Sequence, residues 1–123
     1  MAHEVAPVLD PAALARLTEL DPTGSNRLLE RVLQAFQTSA ARLWPQAEAA
    51  RLSGDRATLR LVAHTLKSSS AAIGAMHLSQ LCAQVETAIR LDAPGEFGAM
   101  LDAMGAALDA ALQAIAQLLK ARA

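Results

Sequence analysis

Apolar residues recur every three or four positions along most of the chain, which is the spacing of amphipathic helices. A short first helix is predicted after Asp10 and Pro11, because an N-cap aspartate followed by a first-turn proline is a common helix start. A turn rich in Pro, Gly, Ser and Asn leads into a long second helix. Pro45 lies inside that helix and has no backbone N–H to donate, so we expect a kink or a break near Leu43 and Trp44.

The second half of the chain repeats this helical pattern. The third helix is predicted from about residue 56 to 73, with Gly74 as its C-terminal stop, and the fourth from about 76 to 91. A last helix begins near Phe97 and carries apolar residues at the same spacing. Because short links join these helices, consecutive helices are expected to pack antiparallel.

The composition agrees with a helical fold in one domain. The 123 residues include 29 Ala and 20 Leu but one Trp, two Phe and no Tyr. Ala and Leu favour helices, whereas sheets favour the aromatic and β-branched residues that are scarce here. We therefore predict an all-α fold, an antiparallel up-and-down four-helix bundle with a short extra N-terminal helix. The whole chain, 1–123, is expected to be one domain, with a short mobile N-terminus at 1–9 and the bundle at about 10–121.

Charge, hydropathy and cysteine content exclude several other classes of protein. Eleven basic against twelve acidic residues give a net charge of −1, and three aromatic residues provide no base-stacking surface, so no nucleic acid partner is expected. No run approaches the ~20 apolar residues of a membrane span, and the first residues lack the features of a signal peptide. Cys82 is the one cysteine and lies among apolar neighbours, which favours a reducing compartment. We expect a cytoplasmic monomer that binds neither nucleic acid nor membranes.

One face of the third helix does not belong to the core. At about 100° per residue, the buried stripe of this helix lies within about 60° of Leu66, whereas His64 falls about 160° away. Residues 51–90 hold five basic residues against two acidic ones, unlike the mixed charges of an ordinary solvated face. The imidazole therefore points outward among basic, small and apolar neighbours, namely Arg60, Leu61, Lys67, Ser68 and Ala71.

Glu86 is predicted to lie beside His64 on the neighbouring helix. If the turn centres on Ala75, His64 is eleven residues before the turn and Glu86 is eleven residues after it. Residues at equal distances from the turn lie at about the same height on two antiparallel helices. Glu86 also falls at the edge of the apolar stripe of its helix, where its carboxylate can flank or orient the imidazole.

A resemblance to a known family lies in residues 63–75, which read AHTLKSSSAAIGA. They resemble the signature of the histidine-containing phosphotransfer (HPt) domains of bacterial two-component phosphorelays, which reads His, any residue, Leu, Lys, Gly, Ser, a small residue, three variable residues and Gly-Ala. A weaker resemblance covers most of the chain and implies the same four-helix bundle that the apolar spacing predicts. The resemblance further implies that His64 accepts a phosphoryl group, that Lys67 stabilises this group, and that Glu86 occupies the position of a supporting Glu or Gln.

Ser68 departs from the family pattern, which has Gly one turn beyond the histidine. A side chain at this position lies beside the imidazole on the same helix face. The Ser68 hydroxyl is expected either to bond back to the His64 carbonyl, which leaves the imidazole accessible, or to donate to the phosphoryl oxygens. The substitution is expected to affect transfer rate or partner choice more than the basic activity.

The resemblance implies a phosphorelay intermediate, in which His64 accepts a phosphoryl group from the aspartyl phosphate of a receiver domain and passes it to another receiver. The chain has no glycine-rich phosphate loop and no carboxylate cluster for Mg²⁺, so we expect a carrier rather than an enzyme, with no cofactor of its own. Expected partners are the receiver domains of response regulators or of a hybrid histidine kinase, which would supply Mg²⁺. The expected docking surface consists of Arg60, Leu61, Ala71 and Ala72.

Two other functions remain open at this point. A non-phosphorylated helical adapter would bind a receiver or another protein through the same face. The phosphoaccepting domain of a larger histidine kinase would carry the same histidine. Incubation with a phosphorylated receiver and Mg²⁺ distinguishes the carrier from the adapter, because only the carrier gains an acid-labile, base-stable label at His64.

Overall fold

The computed structural model describes residues 7–92 and 97–123, and in this range it contains helices and no strands. A short helix is followed by four long ones, which are α1 (Pro11–Glu19), α2 (Leu28–Ser53), α3 (Arg56–Ala72), α4 (Met76–Arg90) and α5 (Gly98–Arg122). Each long helix packs against the next one in the chain, and α2 also contacts α5, which closes the bundle. The predicted all-α four-helix bundle with a short N-terminal helix is confirmed.

The helices begin and end where the sequence provides capping groups. Oδ1 of Asp10 accepts a hydrogen bond from the Ala12 amide at 3.0 Å, and Oδ1 of Asp55 accepts one from the Thr58 amide at 3.1 Å. Gly54 ends α2 in the left-handed conformation, with a φ of +74°. The link between α2 and α3 is therefore very short, and it directs the two helices in opposite directions along the bundle.

An apolar cluster between the helices forms the core. Buried residues of α3 and α4 come from the predicted stripes, and Leu66, Cys82 and Val85 are completely buried. The structure also buries Leu9, which precedes α1, so the packed part of the chain begins before residue 10. Residues 1–6, which belong to the predicted mobile N-terminus, lie outside the described residues.

Pro45 does not interrupt α2, which continues as one helix on both sides of it. Of the kink or break predicted near Leu43 and Trp44, the break does not occur. Leu43 and Ala47 are both buried in the core, and this packing holds the helix together where one backbone hydrogen bond is missing. Trp44 packs over Gly105 of α5, where a Cβ atom would lie only 2.8 Å from the indole ring.

α5 is long and apolar enough to cross a membrane by length and composition alone, in contrast to the expectation that no segment approaches a membrane span. It meets this criterion because many of its outward positions are alanine and few are charged. Its apolar stripe nevertheless forms part of the core of the bundle, where the buried residues are Leu101, Met104, Leu108, Ala111 and Ile115. Packing against the other helices therefore accounts for the apolar stripe of α5, and its exposed alanines account for the rest of its hydropathy.

Asp21 caps α2 from a distance along the chain. Its carboxylate is buried and accepts hydrogen bonds from the Leu28 amide at 3.1 Å and from the amide and side chain of Asn26, both at 3.3 Å. Arg27, which directly precedes the helix, has a left-handed φ of 51° and provides no side-chain cap. The hydrogen bond from Leu28 is the main reason why the pKa of Asp21 is lowered from its ordinary value of 3.8.

Replacing Asp21 with Asn should lower the thermal unfolding temperature at neutral pH, because an amide oxygen accepts these hydrogen bonds more weakly than a carboxylate. A lowered folded-state pKa stabilises the fold above pH 3.8, and this contribution is lost as the pH falls through the folded value. The difference in unfolding temperature between wild type and Asp21→Asn should therefore shrink when circular dichroism is measured at about pH 3 instead of neutral pH. An equal difference at both pH values would contradict this role of Asp21.

Candidate functional site

His64 lies on the outward face of α3, as its position about 160° around the helix from Leu66 predicts. Its side chain is 62% exposed, whereas Val62 and Leu66 on the other side of the helix are completely buried. Arg60 and Leu61, one turn earlier on the same face, are exposed as well. The helix therefore uses one face for the core and holds the imidazole at the surface on the other.

Glu86 joins His64 and Lys67 in a network of three side chains. Its Oε2 atom lies 2.6 Å from Nδ1 of His64, and its Oε1 atom accepts a hydrogen bond from Nζ of Lys67 at 2.5 Å. The Glu86 side chain is only 15% exposed, so both contacts lie at the edge of the core, where water screens charges less than at an open surface. The structure thus places Glu86 beside the imidazole, on the neighbouring helix.

The network determines which imidazole nitrogen is free to react. The hydrogen bond from Lys67 lowers the pKa of Glu86, and the contact with His64 lowers it further, so Glu86 is a carboxylate at neutral pH and only accepts hydrogen bonds. Nδ1 of a neutral His64 must then carry the ring proton in this contact. Nε2 keeps its lone pair, and because the side chain is exposed, this nitrogen is accessible to a reactant from outside the protein.

A tight turn sets the height of α4 relative to α3. Gly74 has a φ of +80°, a left-handed conformation that other residues rarely adopt. The Ala75 amide donates a hydrogen bond to the Ser70 carbonyl at 2.9 Å, which closes the turn directly behind α3. The turn lies where the sequence predicts it, and equal distances on either side of it bring Glu86 level with His64.

Ser79 ties α3 and α4 together beside this network, and sequence reasoning missed it. Ser79 is buried, and its hydroxyl donates a hydrogen bond to the Lys67 carbonyl at 2.9 Å. The sequence does show that Ser79 is a polar residue next to Leu78, which lies on the apolar stripe of α4. It does not show which group on another helix accepts a hydrogen bond from the Ser79 hydroxyl. The bond holds in place the backbone of the residue whose side chain reaches Glu86.

A shallow depression of about 380 Å³ lies beside the imidazole and is lined by Ala57, Arg60, Leu61, His64 and Glu86. Leu61 is 60% exposed although it is a large apolar residue. Two of the predicted docking residues, Arg60 and Leu61, therefore adjoin the imidazole. The other two lie about two turns further along α3 and do not line the depression; they are Ala71, which is half-buried, and Ala72, which is exposed.

Many of the basic residues around His64 are already paired with acidic ones. Three of the five in residues 51–90 form ion pairs, which are Arg51–Asp102, Arg56–Asp92 and Lys67–Glu86. Within residues 7–92 and 97–123, the other two, Arg60 and Arg90, form no ion pair. The positive charge available near the imidazole is therefore smaller than the count of basic residues predicts.

Ser68 is exposed on the face of α3 that carries His64. In the part of the chain that the structure describes, its hydroxyl makes no hydrogen bond, so the expected bond back to the His64 carbonyl is not formed. Ser69 makes a bond of this kind instead, from its hydroxyl to the Thr65 carbonyl at 3.1 Å. Donation from Ser68 to phosphoryl oxygens stays a prediction.

Cys82 is a core residue beneath the network. Burial raises the pKa of its thiol to about 12, with the charge of Glu86 as a second cause. Such a thiol stays protonated and unreactive at neutral pH. Among the described residues, no group of three or more His, Cys, Asp and Glu side chains could hold a metal ion.

Replacing Glu86 with Ala should slow the phosphorylation that the sequence predicts at His64 about tenfold, because the contact that keeps the ring proton on Nδ1 is lost. Glu86→Gln is the matched variant, since its amide oxygen still accepts a hydrogen bond from Nδ1 but carries no charge for Lys67. Nitrogen-15 chemical shifts of the ring should show one tautomer in wild type and Glu86→Gln and a mixture in Glu86→Ala. A pure Nδ1–H tautomer in Glu86→Ala would contradict this role.

Comparisons with known proteins agree with this geometry. A family model of the Hpt domain matches residues 31–118. Among solved structures, the chain is similar to histidine-containing phosphotransfer protein B (HptB) from Pseudomonas aeruginosa PAO1, with a TM-score of 0.82 and 25% sequence identity. That similarity covers 94% of this chain and 97% of that chain. A comparison with curated proteins gives no match.

The matched range contains the complete network around the imidazole. Residues 31–118 include His64, Lys67 and Glu86 together with α3 and α4, the two helices that carry them. The structural similarity extends the agreement to nearly the whole bundle. The chain therefore belongs to the Hpt domain family, whose role is histidine phosphotransfer in two-component signalling.

Proposed function

We propose that the protein is a phosphorelay intermediate, in which Nε2 of His64 accepts a phosphoryl group from the aspartyl phosphate of one receiver domain and passes it to the aspartate of another. The observation that carries this proposal is the contact of Nδ1 with Glu86, which leaves Nε2 free on an exposed side chain. The Nε2 lone pair forms the new N–P bond while the P–O bond of the aspartyl phosphate breaks and its carboxylate leaves. In the second transfer, a receiver carboxylate attacks phosphorus and the imidazole leaves.

The two partners contribute different parts of the chemistry. Phosphoryl transfer depends mainly on positioning and on offsetting negative charge, and the receiver would supply the aspartate and a bound Mg²⁺. This protein would supply the nucleophile at a fixed height on a rigid helix. Lys67 would reduce the negative charge that the phosphoryl group meets, because it offsets the Glu86 carboxylate. The protein would thus act as a carrier with no nucleotide or metal site of its own.

The docking surface would be the face of α3 around His64. Leu61 would provide an apolar centre, Arg60 a charge that complements the acidic site of a receiver, and the small side chains of Ala71 and Ala72 would allow close approach. A modest, partly polar interface suits transient exchange with two partners. The protein would act as a cytoplasmic monomer, and its buried thiol at Cys82 suits a reducing compartment.

Transfer between purified receivers tests the proposal. Receiver domains of the organism are labelled with radioactive acetyl phosphate and Mg²⁺, freed of the small donor and mixed with the protein. We expect an acid-labile, base-stable label to appear on the protein and to leave it again when a second, unlabelled receiver is added. Stable binding of a receiver without any transfer of label would support the adapter and reject the phosphorelay intermediate.

A further inference from the structure

Lys67 is already occupied before any phosphoryl group arrives. Its Nζ atom lies 2.5 Å from Oε1 of Glu86, while Nδ1 of His64 holds the other carboxylate oxygen at 2.6 Å. The carboxylate therefore stands between the ammonium group and the imidazole, and Lys67 does not line the depression beside the ring. Because the Lys67–Glu86 pair is neutral as a whole, it leaves most of the charge of a phosphoryl group on His64 uncompensated.

Arg60 is a neighbour of His64 in the depression beside the imidazole. Side chains on a helix lean toward its N-terminus, so the imidazole covers the turn that carries Arg60 and Leu61. Arg60, Leu61 and Ala57 line the depression together with the imidazole. Residues four positions apart on a helix are neighbours, with about 6 Å between their Cβ atoms, and an arginine side chain spans that distance.

The guanidinium of Arg60 also has free hydrogen-bonding capacity. Arg60 is exposed and forms no ion pair with any described residue, whereas Arg51 and Arg56 are held by aspartates at 2.7 Å. Arg90 is unpaired within the same range as well, but it lies on α4 and does not line the depression. A guanidinium presents parallel N–H donors that match two oxygens of a phosphoryl group.

We infer that Arg60 binds the phosphoryl oxygens once His64 is phosphorylated, whereas Lys67 acts mainly by neutralising Glu86. This inference rests on the proposed function of His64 as a phosphoryl acceptor. The two positive side chains then have different roles. Lys67 maintains the network that orients the imidazole, and Arg60 binds the phosphoryl group on the imidazole. Arg60 thereby has a role within this protein in addition to any contact with a receiver.

Phosphorylation by phosphoramidate, a small phosphoryl donor that replaces the receiver, tests the role of Arg60. The Nε2 lone pair attacks its phosphorus, the P–N bond of phosphoramidate breaks and ammonia leaves, so no partner residue contributes to the rate. Arg60→Gln should be phosphorylated about fivefold more slowly than wild type, and Arg60→Lys should recover part of the rate. Arg42→Gln removes an equal charge from an exposed position on α2 and should react like wild type. Added salt should slow wild type more than Arg60→Gln.

Two comparisons distinguish this inference from its alternatives. Equal rates of phosphorylation by phosphoramidate for Arg60→Gln and Arg42→Gln would overturn the inference. Lys67→Gln should lower the phosphorylation rate of the wild-type protein but should lower it little further when Glu86→Gln is already present. Arg60→Gln should lower the phosphorylation rate both with and without Glu86→Gln. If Arg60→Gln has no effect when Glu86→Gln is present, the inference is also overturned. If phosphoramidate labels His64 with the expected dependence on Arg60 but no receiver exchanges with it, the proposed function fails and the role of Arg60 stands.

Discussion

The His64→Gln variant should accept no phosphoryl group, whether the donor is a receiver or phosphoramidate, and labelling should fall to the background of the assay. Glutamine has no ring nitrogen with a lone pair that can attack phosphorus. The fold should survive, because the His64 side chain is 62% exposed and the variant loses a surface hydrogen bond that is worth at most about 1 kcal/mol. Circular dichroism should therefore show wild-type helix content and nearly the same unfolding temperature.

His77→Gln is the matched control for this experiment. His77 is also an exposed helical histidine, in the first turn of α4, but it takes no part in the contacts of Glu86. His77→Gln should be labelled to the same extent as wild type. Label on His64→Gln at the level of His77→Gln would show that another residue accepts the phosphoryl group.

The Gly74→Ala variant should lose about 3 kcal/mol of stability, which combines left-handed strain with overpacking. Gly74 has a φ of +80°, and a Cβ atom there would lie 2.7 Å from the amide nitrogen of Asp10 and 2.9 Å from Cβ of Ala13. The Asp10 amide also donates a hydrogen bond to the Gly74 carbonyl at 2.8 Å, so the backbone cannot move away without breaking that bond. The midpoint of thermal unfolding should fall by roughly 10 °C.

Gly54→Ala separates the two contributions. Gly54 has nearly the same backbone conformation, with a φ of +74°, but no atom lies within 4 Å of its would-be Cβ. Gly54→Ala should therefore cost about 1 kcal/mol, from strain alone. Equal losses in the two variants would contradict the close contact between Gly74 and the start of α1.

The local features of this fold could be predicted from sequence, because each one depends on spacing within a single helix or across one short turn. The outward position of His64 follows from the helical period, and the position of Glu86 follows from equal distances on either side of Ala75, where the turn between α3 and α4 is centred. Pro45 shows that local reasoning can overestimate the chance of a helix break. Its effect on a helix is unfavourable in isolation, but burial of Leu43 and Ala47 in the core outweighs it.

Contacts between distant parts of the chain could not be predicted in this way. The sequence explains Gly74 as a helix stop, but its contact with Asp10 depends on where α1 packs. The hydroxyl of Ser79 and the pairing of Arg56 with Asp92 likewise depend on the positions of neighbouring elements. For the same reason, a count of basic residues overestimates the charge that is free near His64.

Nuclear magnetic resonance of the phosphorylated protein shows whether a receiver transfers its phosphoryl group to Nε2 of His64, as we propose. The protein, labelled with nitrogen-15 in its histidines, is phosphorylated by a receiver and its ring nitrogens are examined for coupling to phosphorus-31. We expect coupling at Nε2 of His64, with the proton still on Nδ1 beside Glu86. Coupling at Nδ1, or phosphorus on any residue other than His64, would contradict it.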